Sequence, residues 1–256
     1  MKIAIWQAQS DYCNYHANLA RLDTALAQAA VQGAELLITP EMFLSGYVLQ
    51  QRIAEMADSF PLVAVQALVA KHQVALVIGG PQRAQQKIFN ASYFIAADGE
   101  LSAVYRKTHL FGKLDQAQFT AGDQPVCMIP YRGVNIALLI CYDVEFPETV
   151  RAAAKAGAHL VAVATAQMKP FDFVNRHLIA TRAWENQLYV AYVNQIGHEQ
   201  HLEYVGLSLV AGPDGKVLTM AGETEEQLLY AEIDPAHVRQ AQQNNPYLTD
   251  LRSDIL

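Results

Sequence analysis

Short apolar runs that alternate with longer amphipathic segments are the feature that most constrains the fold of this chain. The apolar runs predict β-strands at residues 2–8, 35–39, 74–80, 134–141, 159–165 and 188–194. The amphipathic segments have helical spacing at residues 18–33, 61–73, 147–157 and 172–186. Residues 91–107 and 206–222 each have Asp-Gly between apolar runs, which is typical of β-hairpins. This alternation predicts an α/β fold.

The order of these predicted elements occurs twice along the chain. Strand, helix, strand, helix, strand and Asp-Gly hairpin run from residue 2 to 107 and again from 134 to 222, without similarity of sequence between the two halves. Residues 108–133 join the halves, and residues 235–256 are expected to form a C-terminal arm. We therefore expect one domain, residues 1–256, with two similar halves whose sheets pack face to face and whose helices cover both outer sides.

Composition and charge argue against several classes of binding partner. The 256 residues are 52% hydrophobic and 17% charged, with a net charge of −7. A run of Lys and Arg that could follow a phosphate backbone is missing, so binding to nucleic acid or to an anionic membrane is not expected. The sequence also has no stretch near the roughly 18 uninterrupted apolar residues of a membrane span. We expect a cytoplasmic protein.

Cys141 ends one of the predicted strands, directly before a turn into a helix that Pro147 begins. Side chains at such strand ends reach the sheet edge at which α/β proteins place their sites. A thiol there is activated by a nearby cation or by an adjacent base. A buried cysteine that only fills the core fits the same position, because free cysteine is often buried.

Two further strand ends carry residues that could act with a thiol. Glu41 follows Pro40 in an apolar turn, where a raised pKa would suit a general base, although a solvated turn acid fits equally. Arg106 and Lys107 adjoin at the end of the first hairpin, so one is expected to point inward and the other to solvent. A buried Lys107 would favour a thiolate and stabilise an oxyanion, whereas an exposed lysine would do neither.

Taken together, "TPEMFLSGY", "YRKTHLFG" and "CYDVEFPE" resemble the motifs of the carbon–nitrogen hydrolases, the nitrilase superfamily. The resemblance implies a four-layer α-β-β-α sandwich and a catalytic triad of Glu41, Lys107 and Cys141. It also implies a homodimer or higher homo-oligomer and no metal or organic cofactor. Within the family, "CYDVEFPE", "TAQMKPF" and "RAWENQ" look most similar to the aliphatic and R-stereoselective amidase type.

The resemblance extends to further residues around the triad. Many family members have a second glutamate a few residues after the lysine, and Asp115 occupies the corresponding place here. Asp115 is thus a candidate auxiliary acid or an ordinary loop acid, and the backbone N–H of Tyr142 is a candidate oxyanion donor. Candidate residues of the substrate pocket, with ordinary loop packing as the alternative, are Tyr47, Thr165, Ala166 and Met168.

The function implied by this resemblance is hydrolysis of small carboxamides to the acid and ammonia through an acyl-thioester. Alternatives in the same family are an N-carbamoyl amide hydrolase, in which Arg106 or Arg176 would hold a substrate carboxylate, and a nitrilase. A non-catalytic oligomeric scaffold is the alternative from another class.

The remaining polar residues and cysteines are interpreted as structural. His198 and His201 are expected in a polar loop, because no third ligand has suitable spacing for a metal. His109 is expected to be a hydrogen-bonded structural residue, and Cys13 and Cys127 are expected to be ordinary thiols. The cluster of Arg182, Glu185 and Asn186 is interpreted as a structural or subunit contact.

Overall fold

The computed structural model of the chain describes residues 1–252 and residue 254. Its strands are β1 (Lys2–Gln7), β2 (Leu36–Ile38), β3 (Ala75–Ala84), β4 (Lys87–Ile95), β5 (Leu101–Arg106), β6 (Cys127–Tyr131), β7 (Val134–Ile140), β8 (Leu160–Ala164), β9 (Tyr189–Val193), β10 (His198–Glu199), β11 (Leu202–Glu203), β12 (Leu209–Ala211), β13 (Val217–Met220) and β14 (Gln227–Glu232). Its α-helices are α1 (Tyr15–Val31), α2 (Ile53–Asp58), α3 (Leu62–His72), α4 (Gly112–Gln118), α5 (Pro147–Lys155), α6 (Ile179–Asn186), α7 (Pro235–Asn244) and α8 (Tyr247–Asp250). Turns of 3₁₀-helix occupy Gln50–Arg52 and Cys141–Glu145, and a π-helical turn, Val174–Leu178, precedes α6.

Two six-stranded sheets repeat one topology. The first has the order β14-β1-β2-β3-β4-β5, and the second has the order β13-β12-β9-β8-β7-β6. In each sheet three neighbouring strands are parallel, β1 to β3 in the first and β7 to β9 in the second, and antiparallel strands extend both edges. The predicted repeat of strand, helix and hairpin is therefore confirmed as two halves of similar topology.

The boundaries of the halves differ from the prediction in two strands. β14 pairs antiparallel with β1, Lys2 opposite Glu232, so the first sheet takes a strand from beyond residue 222. β6 lies within the connecting segment 108–133 and pairs with β7. β6 directly precedes the predicted strand at 134–141 and forms a hairpin with it, although the prediction left its residues in the connecting segment. β14 pairs over a separation of more than 200 residues, which a local pattern does not reveal.

The two sheets pack face to face around one apolar core. Ile3, Ile5 and Ile38 of the first sheet lie in the same buried cluster as Ile136 and Leu138 of the second. Side chains of α1 and α3 cover the outer face of the first sheet, and side chains of α5 and α6 cover the outer face of the second. This burial on both faces explains the nearly continuous apolar runs of the central strands. The predicted α-β-β-α sandwich is confirmed.

Four strand ends bring polar residues to one edge of this sandwich. β2 ends at Ile38 shortly before Glu41, and β7 ends at Ile140 directly before Cys141. β5 ends at Arg106 directly before Lys107, and β8 ends at Ala164 directly before Thr165. The backbone N–H of Glu41 donates to the carbonyl of Thr165 at 3.2 Å, which joins the two sheets at this edge.

The C-terminal segment returns to the second half. The rings of Trp184 in α6 and Tyr247 in α8 lie 6.3 Å apart, and the Gln187 amide donates to the carbonyl of Asn245. Residues 253, 255 and 256 of the predicted arm lie outside the described residues. Within the described part of the chain, no single helix has the length and apolar character to cross a membrane. Gln50–Asp58 and Leu62–His72 reach that length only as a pair bent by 62°.

Candidate active site

Cys141 follows β7 directly and begins the 3₁₀ turn in a strained backbone conformation. Its φ angle is +45°, a left-handed conformation that costs a non-glycine residue about 1–3 kcal/mol and persists only where the surrounding structure holds it. Asp143 accepts a hydrogen bond from the backbone N–H of Ile140 at 3.1 Å, and Arg182 donates to the carbonyls of Val144 and Glu145 at 2.9 and 2.6 Å. These contacts fix the turn that carries the thiol.

Glu41 is fully buried on a similar turn in the first half. Met42, the next residue, has a φ angle of +54°, and a Cβ atom at Gly79 would lie 2.5 Å from the Met42 backbone nitrogen. Glycine at position 79 therefore allows β3 to approach the backbone of this turn. Glu41 Oε1 accepts hydrogen bonds from Lys107 at 2.9 Å and from Asn90 at 2.7 Å. Glu41 Oε2 is buried and has no partner among the described residues.

Lys107 is fully buried between two carboxylates. Its Nζ lies 2.9 Å from Glu41 Oε1 and 2.7 Å from Asp115 Oδ2. The neighbouring Arg106 points the other way, with its guanidinium 4.2 Å from the centre of the Phe89 ring. The alternation of side chains along β5 thus continues past the strand end and turns Lys107 inward. Of the two alternatives that the sequence left open, the structure has the buried lysine.

Asp115 lies on α4, and its side chain joins the cluster instead of remaining in a solvated loop. Oδ2 accepts from the Phe111 backbone N–H at 2.9 Å in addition to Lys107, and Oδ1 accepts from the Tyr47 hydroxyl at 2.7 Å. The backbone N–H of Tyr47 in turn donates to both carboxylate oxygens of Glu199, at 2.8 and 3.0 Å. Asp115 therefore binds both Lys107 and the side chain of Tyr47.

Asp143 ties the two loops of the site together, a function that the sequence motif did not indicate. It accepts from the Tyr105 hydroxyl at 2.9 Å, from the Thr108 hydroxyl at 2.8 Å and from the His109 backbone N–H at 2.9 Å. The His109 ring also lies 2.9 Å from Asp143, and this hydrogen bond raises the pKa of His109. His109 is therefore hydrogen-bonded as expected for a structural residue, and Asp143 connects the Lys107 segment to the Cys141 turn.

Burial controls the protonation of the cluster. Burial raises the pKa of Glu41, the Lys107 charge opposes this shift, and the Asp115 charge adds to it. Burial alone would lower the pKa of Lys107, but Glu41, Tyr47 and Asp115 hold it well above its ordinary value. Burial and the charge of Glu41 raise the pKa of the Cys141 thiol, and Lys107 opposes this. The resting site therefore holds a neutral thiol beside an ammonium and a poorly solvated carboxyl group.

The residues predicted to line a pocket lie around this cluster. Thr165, Ala166 and Met168 follow β8 and are buried, and hydrogen bonds with the Thr165 hydroxyl and the Ala166 backbone oppose the rise in the Cys141 pKa that burial causes. Tyr142 is the second residue of the 3₁₀ turn, and its ring packs against Phe111 with ring centres 5.3 Å apart. Gln167, which the sequence analysis left unassigned, places Oε1 4.0 Å from Cys141 Sγ. A surface cavity of about 570 Å³ beside Phe146 and Glu148 does not include the triad residues.

Several other candidate residues lie outside the cluster. His198 is exposed and lies 3.9 Å from Glu203, and within residues 1–252 and 254 no three His, Cys, Asp or Glu side chains come together as a metal site would require. Arg176 pairs at the surface with Asp172 at 2.8 Å and Glu223 at 2.5 Å. All three cysteines are free thiols.

The comparisons with known proteins agree with this geometry. The family model described as carbon-nitrogen hydrolase matches residues 2–243. An (R)-stereoselective amidase from a Pseudomonas species is 36% identical over 98% of this chain and 92% of the relative, and a 2-oxoglutaramate amidase from Bacillus subtilis is 31% identical over 87% and 86%.

Solved structures give the same result. An amidase from Nesterenkonia sp. AN1 is 35% identical, with a TM-score of 0.90 over 100% of this chain and 98% of that one. Another structure of that amidase, with butyramide bound, has a TM-score of 0.89 at 35% identity, over 100% of this chain and 95% of that one. The fold, the order of the motifs and these relatives lead to one conclusion: the chain belongs to the carbon-nitrogen hydrolase family.

Proposed function

We propose that this protein is an amidase that hydrolyses small carboxamides to the carboxylic acid and ammonia, with Cys141 as its nucleophile. The observation that carries the proposal is the buried cluster in which Lys107 holds Glu41 Oε1 while Glu41 Oε2 has no partner among the described residues. A buried carboxylate oxygen without a hydrogen bond is costly, and proton transfer with a thiol or water would satisfy it. A base, a cation and a thiol together are the components of nucleophilic acyl transfer.

In the acylation step Glu41 accepts the Cys141 proton as Sγ bonds to the amide carbon. The carbonyl π electrons move to oxygen, and the ammonium of Lys107 and the backbone N–H of Tyr142 stabilise the oxyanion. Donors arranged in advance around such an oxyanion contribute about 3–4 kcal/mol each. The C–N bond then breaks, the nitrogen takes the proton from Glu41, and ammonia leaves an acyl-thioester.

Deacylation uses the same residues in the reverse roles. Glu41 accepts a proton from water as the water oxygen bonds to the acyl carbon, and Lys107 again stabilises the oxyanion. The C–S bond breaks, Sγ takes the proton back from Glu41, and the acid is released. Asp115 keeps Lys107 in place through both steps, since its Oδ2 accepts a hydrogen bond from Nζ at 2.7 Å. None of these steps needs a metal or an organic cofactor.

The surroundings of the triad favour a small acyl group without a carboxylate. Glu41 and Lys107 are fully buried and Cys141 is 5% exposed, so little space remains beside the thiol. Arg106 lies on Phe89 and Arg176 lies between two surface acids, so neither candidate for a carboxylate-binding arginine faces the thiol. The Nesterenkonia amidase binds butyramide, a small neutral amide of this kind.

An ammonia-release assay with butyramide tests the proposal. Cys141→Ala removes the nucleophile, and we expect its kcat to fall to background while the melting temperature and circular dichroism show a folded protein. Cys127→Ala is the matched control, because Cys127 is also a free thiol and also 5% exposed. We expect that control to keep wild-type turnover.

Turnover by Cys141→Ala would refute Cys141 as the nucleophile. A panel that adds an N-carbamoyl amino acid and a nitrile distinguishes the amidase from the two related hydrolases. A wild-type protein that hydrolyses none of these compounds, and whose Cys141 does not react with iodoacetamide, would instead support a non-catalytic scaffold.

A homo-oligomer and a cytoplasmic location stay predictions. Large apolar side chains are exposed on neighbouring elements of the second half, namely Phe173, Trp184, Val217, Leu218 and Met220. Such an exposed apolar surface is typical of a contact with another protein chain, and a homodimer is the arrangement that we expect.

A further inference from the structure

Glu145 is an acidic side chain close to the thiol that the proposed mechanism does not use. It ends the 3₁₀ turn that Cys141 begins, and it is partly buried. Glu145 Oε1 lies 3.4 Å from Gln167 Nε2, and Gln167 Oε1 lies 4.0 Å from Cys141 Sγ. The side-chain amide of Gln167 therefore lies between the Glu145 carboxyl group and the reacting thiol.

The Glu145 carboxyl group has no cationic partner within the described residues. The nearby guanidinium of Arg182 donates to the backbone carbonyls of Val144 and Glu145 and pairs with Glu185 at 2.9 Å, so it does not neutralise the Glu145 side chain. Burial raises the pKa of Glu145, and the hydrogen bond from Gln167 and the charges of Lys107 and Arg182 oppose this. A partly desolvated carboxylate without a counter-ion is stabilised by a ligand that brings a positive charge.

A group of aromatic residues near Gln167 adds a second feature suited to a cation. Phe111 packs edge-on against Tyr142 at 5.3 Å and against Phe171 at 5.7 Å. The Phe171 carbonyl accepts a hydrogen bond from Gln167 Nε2 at 3.2 Å, which places the backbone of Phe171 beside Gln167. Aromatic faces attract ammonium groups, and the attraction grows when water is excluded.

We propose that Glu145 is a specificity-determining residue that selects amides whose acyl chain ends in a protonated amine over amides whose acyl chain ends in a carboxylate. This inference rests on the proposed amidase function and adds the charge of the acyl chain to it. The 2-oxoglutaramate amidase of Bacillus subtilis acts, by its name, on an amide that carries a carboxylate. This chain is thus expected to have the opposite charge preference from that relative.

Three amides of similar length test the charge preference: 3-aminopropanamide, which is cationic, butyramide, which is neutral, and succinamate, which is anionic. The assays are run at about pH 8, where a carboxyl group with a raised pKa is charged and a primary amine is still largely protonated. We expect kcat/KM to fall in the order cation, neutral, anion. Glu145→Gln should lower the ratio of the cationic to the anionic substrate by about tenfold or more, the size expected for one charge pair in a partly buried site.

Glu148→Gln is the matched control, since it removes an exposed acid three residues away on α5 and should keep the wild-type ratio. The ratio is a readout that a merely structural effect of Glu145→Gln would not change. Hydrolysis of butyramide with an unchanged ratio in Glu145→Gln would overturn the inference and leave the amidase function intact, whereas no hydrolysis of any of the three amides would overturn both. If Glu145→Gln does not fold, the wild-type order decides, because faster turnover of succinamate than of 3-aminopropanamide contradicts the proposal.

Discussion

Asp115→Asn separates the charge of the proposed auxiliary acid from its shape. In the asparagine variant the side-chain oxygen can still accept from Lys107 and Phe111, and the new amide N–H can donate to the Tyr47 hydroxyl oxygen. The geometry is therefore kept, and the loss is the negative charge that faces Lys107 at 2.7 Å. Replacing a charge-assisted hydrogen bond with a neutral one costs about 1–2 kcal/mol of unfolding free energy.

The same substitution changes the pH dependence of catalysis. Asp115 and Glu41 both contact Lys107 Nζ, so their nearest carboxylate oxygens lie within roughly 5 Å of each other. Two unit charges at that distance interact with an energy of about 3 kcal/mol at an effective dielectric constant of 20. The Asp115 charge raises the pKa of Glu41, and its removal must lower that pKa. The base form of Glu41 is lost as the pH falls through its pKa, so the acid limb of kcat/KM should move to lower pH, by about one unit once Lys107 readjusts.

The assay is the pH profile of kcat/KM for butyramide, with urea unfolding to measure stability. We expect kcat/KM at neutral pH to fall about 100-fold, or about 2.7 kcal/mol, because Lys107 loses the partner that orients it. Asp123→Asn, an exposed acid in the same connecting segment, is the control and should change neither the profile nor the stability. An acid limb that stays in place or moves to higher pH would refute the electrostatic reasoning.

Two further substitutions test the turns that carry the triad. Gly79→Ala puts a Cβ atom 2.5 Å from the Met42 nitrogen. We expect the variant to lose about 1–3 kcal/mol of unfolding free energy, measured with urea, and to have at least a tenfold lower kcat because the Glu41 turn shifts. An unchanged kcat would contradict the role of this close approach. In Arg182→Lys the side chain cannot donate to both carbonyls of the Cys141 turn in the same planar geometry. We therefore expect fluoroacetamide to label Cys141 more slowly, which mass spectrometry measures. An unchanged labelling rate would argue against a positioning role for Arg182.

The sequence predicted much of the fold because the central strands and the helices have strong local patterns. The runs that became β1, β3, β7, β8 and β9 are apolar on both faces since helices cover one side of each sheet and the other sheet covers the other. Gly33 and Gly157 have φ angles of +72° and +89°, as expected of residues that follow a helix end. β14 is mostly half-buried, so its apolar pattern is weak, and its partner β1 lies at the opposite end of the chain.

Residues of the candidate site could be predicted where they belong to a sequence motif. They could not be predicted where only the packing of distant segments brings them to the site. Glu41, Lys107 and Cys141 follow strand ends, and the resemblance to the family selected them from several open alternatives. Asn90 lies in the middle of β4, and only the register of that strand brings its amide to Glu41. Asp143 stands inside the cysteine motif, but four of its five hydrogen bonds are to Tyr105, Thr108 and His109, which lie 34 to 38 residues away along the chain.

The electrostatics of the site indicate when the thiol becomes reactive. Lys107 is held by two carboxylates, and the pKa of Cys141 is raised despite that cation, so the proposed nucleophile rests as a thiol. A thiol is a weak nucleophile, and attack must therefore accompany proton transfer to Glu41. A substrate carbonyl that accepts a hydrogen bond from Lys107 would draw the ammonium toward the oxyanion and weaken its hold on Glu41. That carboxylate would then become a stronger base at the step in which the proton leaves the thiol, so substrate binding itself would activate the nucleophile.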